Sequence, residues 1–149
     1  MIKKILSKSF IISSLLVFSI FLLDRLSKIY VIFLDNKFFG SEIFSSKFLN
    51  ISLIWNEGIA FGLLSFNEKI FYNLLTFIIL VIILIIFFMA LKSYGFKKYS
   101  FLMILGGALG NIYDRIFYGA VPDFIDFHIG NSHWFIFNVA DIFITLGVI

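Results

Sequence analysis

Five of this chain's six aspartates are candidates for chemistry: Asp24, Asp114, Asp123, Asp126 and Asp141. An ionisable side chain at membrane depth is costly, and by default it marks a functional site. Asp24 and Lys28 are four residues apart, so they share a helical face and can pair, a pattern that fits a structural ion pair at least as well as catalysis. Arg25 is expected to point away from that face and to snorkel toward headgroups. Asn111 lies one turn from both Asp114 and Arg115, and Arg115 is expected to neutralise Asp114. Asn138 and Asp141 are three apart, with Thr145 a further turn along the same face, and Asp141 has no basic neighbour in sequence. Two carboxylates brought together can share a proton, one serving as base toward a water while the other donates to a carbonyl, as in aspartic proteases. On the residues alone all five aspartates remain candidates, with Asp141 foremost.

Other chemistries find little support. The chain has no Cys, which removes thiol nucleophiles, disulfides and thiolate metal sites. No Ser stands in a G-x-S-x-G or S-x-x-K context, and no H-E-x-x-H or phosphate-cradling loop is present. His128 and His133 fall in a segment read as an outer loop, as polar residues at headgroup level. The acids lack metal-ligand spacing with histidine along the chain, so neither a metal nor a cofactor is expected. The net charge is +3, and the basic residues form two small clusters with no stripe of interleaved aromatics, which argues against a nucleic-acid partner.

The elements that position these residues are apolar helices. Of 149 residues 61% are hydrophobic and 14% charged, and the mean hydropathy is +1.06, which excludes a soluble globular class. About 20 apolar residues cross a bilayer as a helix, and four stretches qualify as candidates: about 10–34, 70–91, 99–117 and 134–149. The fourth is short, so the natural chain is expected to continue past Ile149. A single domain over 1–149 is expected, since the sequence offers no linker. Lys3, Lys4 and Lys8 precede the first span, and Lys92, Lys97 and Lys98 lie between the second and third; the positive-inside rule then puts the N-terminus and the middle loop in the cytoplasm. The segment of about 35–69 faces outward, and within it Leu49 to Trp55 alternate with period two, as a strand does. Gly106, Gly107, Ala108 and Gly110 would let another helix approach closely.

Five blocks in order along nearly the whole chain resemble the lipoprotein signal peptidase family, also called signal peptidase II. They are Asp24-Arg25-Leu26-Ser27-Lys28, Asn56-Glu57-Gly58-Ile59-Ala60-Phe61, the run from Gly106 to Arg115, Val121-Pro122-Asp123-Phe124, and Phe137-Asn138-Val139-Ala140-Asp141. The resemblance implies an all-α membrane protein of four transmembrane helices with a small extracytoplasmic β-cradle and a short amphipathic helix. It implies an aspartic endopeptidase that cuts prolipoproteins before a diacylglyceryl-modified cysteine. Its catalytic pair falls on Asp123 and Asp141, while Asp24, Lys28, Asn56, Asn111, Asp114, Arg115 and Asn138 fall on substrate-binding or supporting positions. The implied setting is a bacterial inner membrane with both termini cytoplasmic and the site toward the outer leaflet. The partners are lipid and lipidated substrates, and a monomer is expected. A departure is Arg25, where the family commonly has Gln. The alternative is a small proton- or ion-coupled transporter, although the four spans carry no sign of inverted repeats.

Overall fold

The computed structural model of the chain describes residues 8–58, 69–130 and 132–149. The first apolar run forms helix α1 (Lys8–Lys37), whose 30 residues span roughly 45 Å. Just beyond its end, Phe39 and Gly40 take positive φ values of 56° and 75° and turn the chain. Two strands follow, β1 (Phe44–Ser45) and β2 (Leu49–Asn56), the second on the segment whose period-two alternation predicts it. The uncharged run gives α2 (Lys69–Lys92), and Gly95, at φ 57°, lets the chain reverse into α3 (Gly95–Phe117).

Strands β3 (Val121–Ile129) and β4 (Ser132–Phe137) come next, and α4 (Val139–Val148) ends the described chain. The four strands form one antiparallel sheet in the order β1-β2-β3-β4. Two expectations are corrected here. The segment between α3 and α4 is a hairpin in place of a loop, so His128 and His133 lie on strands. The fourth apolar stretch does not begin as helix at Trp134: Ser132–Phe137 pairs with β3, and the helix begins only at Val139. Pairing satisfies the backbone of β3 along this edge, and Asn138 supplies the N-cap that starts a helix immediately afterwards. The third helix also begins earlier than its apolar core, at Gly95.

Small residues bring the helices together as the glycine run predicts. A Cβ at Gly106 would lie 2.8 Å from Cβ of Ile20 on α1, and one at Gly107 would lie 2.5 Å from the Ala140 carbonyl on α4. Gly147 meets the Ser100 carbonyl, so α4 runs antiparallel to α3. Lys98 Nζ donates to Ser9 Oγ at 3.1 Å, tying the starts of α3 and α1 to one end of the bundle. A cluster of Ile83, Leu105 and Ile112 joins α2 to α3. Large apolar side chains such as Phe18, Phe33, Phe77, Ile85 and Phe88 face outward. Helices α1 and α2 are long and apolar enough to cross a membrane by length and composition. The expected short amphipathic helix has no counterpart among the described residues, and residues 59–68 lie outside them.

Candidate active site

The polar residues singled out from sequence converge at one place, where the sheet meets the ends of α3 and α4, with the exception of Asp126, whose carboxylate lies against His133. Asp123 stands on β3, 4% exposed, opposite Ile54 of β2. Two amides hold its carboxylate: Asn56 Nδ2 donates to Oδ2 at 2.9 Å, and Asn138 Nδ2 donates to Oδ1 at 2.6 Å. The backbone N–H of Gly58 donates to Asn56 Oδ1, which fixes the Asn56 amide with its nitrogen toward Asp123.

Asp141 lies in the first turn of α4, and Asn138 and Asp141 form a reciprocal capping box. The Asp141 N–H donates to Asn138 Oδ1 at 3.2 Å, and the Asn138 N–H donates to Asp141 Oδ2 at 3.1 Å. Asn111 Nδ2 donates to the other oxygen, Oδ1, at 2.8 Å. Asn138, fully buried, therefore touches both carboxylates. Neither has a direct ion-pair partner among the described residues. Burial is the main cause that pushes the Asp123 carboxyl up, to about 6. The amide of Asn56 opposes that rise, the nearby Asp141 adds to it, and Asn138 and Lys28 oppose it.

The cations are used one layer away. Lys28 Nζ, with no exposed surface, donates to Asp24 Oδ2 at 2.9 Å, Asn111 Oδ1 at 2.8 Å and Asp114 Oδ2 at 2.7 Å, which exhausts its three protons. Arg25 Nη2 donates to Asp114 Oδ2 at 2.8 Å and to Asp24 Oδ2 at 3.1 Å, and its guanidinium lies 4.9 Å from the ring centre of Tyr113. Asp24 Oδ1 in turn accepts from the Ala140 N–H at 3.0 Å, satisfying another free donor at the start of α4. Two buried carboxylates thus face two buried cations, and Asn111 relays this balanced cluster to Asp141.

Two sequence expectations fail. Arg25 does not snorkel; it is 7% exposed and bridges Asp24 and Asp114. Arg115 does not neutralise Asp114, because its Nη2 donates to the Gly58 carbonyl at 3.0 Å and its Nη1 reaches the Asn111 carbonyl at 3.4 Å. The three-residue spacing of Arg25 and Lys28 carried a usable signal, since residues three apart are neighbours on a helix. Arg115 leaves Asp114 because the strand end at Asn56 to Gly58 presents a buried carbonyl that needs a donor. Tyr72 of α2, which no motif marked, donates its hydroxyl to the Arg115 carbonyl at 3.4 Å.

The family model described as signal peptidase (SPase) II matches residues 16–149. A lipoprotein signal peptidase of Pelagibacter ubique is 49% identical over 145 residues, covering 97% of this chain and 87% of the relative. One of Francisella tularensis subsp. novicida is 42% identical over 128 residues, covering 81% of this chain and 79% of the relative. A bacterial membrane enzyme solved by the in meso method at 1.9 Å resolution superposes with a TM-score of 0.72 at 33% identity, covering 91% of this chain and 86% of that one.

Proposed function

This chain belongs to the signal peptidase II family, and we propose that it is an aspartic endopeptidase that uses Asp123 and Asp141 to cut prolipoproteins before a diacylglyceryl-modified cysteine. The observation that carries this reading is the bridging of the two carboxylates by Asn138, while Lys28 and Arg25 are engaged by Asp24 and Asp114 and Arg115 by a backbone carbonyl. A pair so placed favours holding one proton between two acids. The ionised member takes a proton from water, the water attacks the scissile carbonyl, and the protonated member supports the oxyanion and then the leaving amine. Arg115, Asn56 and the other amides orient the extended substrate, while its acyl chains stay in lipid against the outward-facing helix surfaces.

In this reading α1, α2 and α3 span the membrane and α4 lies within it, as a monomer in the bacterial inner membrane. The ends of α1 and α3 that carry Lys8, Lys97 and Lys98 lie in the cytoplasm, and the sheet and the dyad lie toward the outer leaflet. The matched relatives are peptidases, so the transporter alternative is not favoured.

The test is cleavage of a diacylglyceryl-modified prolipoprotein by the full chain in proteoliposomes. Asp123→Asn and Asp141→Asn should each abolish processing while the protein still melts cooperatively. Near-normal cleavage by Asp141→Asn would overturn the dyad.

A further inference from the structure

The chain has only two histidines, and the fold brings them together away from the dyad. His128 of β3 and His133 of β4 are directly opposed cross-strand partners, their rings stacked with centres 5.1 Å apart. Asp126 precedes His128 by two residues, and the register of β3 against β4 shifts between them, an irregularity of the kind that re-aims side chains. Asp126 Oδ2 lies 2.8 Å from His133 Nδ1. One ligand-capable atom from each of the three residues falls within 4.8 Å of the other two.

A carboxylate–histidine contact alone leaves this cluster unfinished. Asp126 is 6% exposed, yet its Oδ1 is buried without a hydrogen-bond partner among the described residues, and so is His128 Nδ1. Buried polar atoms of this kind call for a specific partner. A cation can supply such a partner: it accepts a lone pair from the carboxylate and from each imidazole, and the side chain of His133, 52% exposed, leaves a way in.

We propose that the tip of the β3–β4 hairpin binds a divalent transition cation of the zinc type through Asp126, His128 and His133. Two imidazoles and one carboxylate suit zinc, nickel or copper, whereas calcium and magnesium take oxygen ligands. Ligand distances of about 2.0–2.2 Å require the three side chains to draw together slightly and leave a fourth position open. Sequence spacing alone predicts no metal, because the third ligand is supplied across the hairpin. The site lies three residues along β3 from Asp123, and β4 leads directly into Asn138, so an ion here would pin the strand that carries Asp123 to the strand that leads into Asn138.

The full chain in detergent micelles, titrated with zinc by calorimetry, should bind about one ion. His133→Ala and Asp126→Asn should each weaken binding by at least about tenfold, and zinc should raise the melting temperature of the wild-type chain but not that of His133→Ala. With copper in place of zinc, the electron paramagnetic resonance spectrum should carry imidazole nitrogen couplings that disappear in a double His128→Ala, His133→Ala variant. No zinc binding at micromolar concentrations, or undiminished affinity in His133→Ala and Asp126→Asn relative to the wild-type chain, would overturn the site.

Discussion

Asn138 and Asp141 hold each other in both directions, the backbone N–H of each donating to the side-chain oxygen of the other at 3.1 and 3.2 Å. That closed box leaves the Asn138 amide nitrogen free to reach Asp123, at 2.6 Å. One side chain therefore starts α4 and fixes the spacing of the two carboxylates.

The two duties of Asn138 can be separated. Asn138→Ser keeps an oxygen for the Asp141 N–H but has no amide to give Asp123, whereas Asn138→Ala loses both contacts. Both variants should lose about 10- to 100-fold in cleavage rate, the worth of a hydrogen bond to a charged group. Asn138→Ala should cost about 1 kcal/mol more stability than Asn138→Ser. Parallel measurement of cleavage and thermal melting checks this, and wild-type cleavage by Asn138→Ser would contradict it.

The raised Asp123 carboxyl makes stability depend on pH in a defined direction. Its folded value is about 6 against an ordinary 3.8, so between these values the folded state binds more protons than the unfolded one. Stability from this residue is therefore full at the acid side and falls as pH rises from about 4 to 6, by about 3 kcal/mol. The melting temperature of Asp123→Asn relative to wild type should rise across that interval. Parallel curves would contradict the assignment.

Lys28 is the shared cation of Asp24 and Asp114, so Lys28→Met leaves two buried carboxylates with Arg25 alone. The loss should be about 3–5 kcal/mol. Adding Asp114→Asn to Lys28→Met should restore part of it, since one unpaired charge is then removed. Denaturation of the single and double variants in mild detergent measures the coupling, and simple additivity would mean the cluster is not one unit.

Gly110 packs directly on the Asp24 carboxylate, and a Cβ there would collide with Asp24 Oδ2. Gly110→Ala should displace Asp24, release the Ala140 N–H it caps and reduce cleavage sharply. Gly119→Ala, at φ 71° with nothing within 4 Å, should cost only about 1 kcal/mol of backbone strain and leave cleavage intact. Equal activity in the two variants would show that the close approach at Gly110 is dispensable.

The sequence by itself determined the apolar helices, the strand at Leu49–Asn56, the close helix approach at the glycines and the set of polar residues that meet, because these follow from local periodicity and from residue type. It also placed Asp24 with Lys28, a contact within one helical turn. Only the tertiary structure decided which cation serves which acid. Arg25 and Lys28 take Asp114 across 89 and 86 residues of sequence, and Arg115 is drawn instead to the Gly58 carbonyl. It likewise decided that Trp134 to Phe137 are strand, since the exposed edge of β3 and the Asn138 cap together outweigh the apolar run's helical reading. Such choices depend on which buried donors and acceptors lack partners once the helices pack, and that demand exists only in three dimensions.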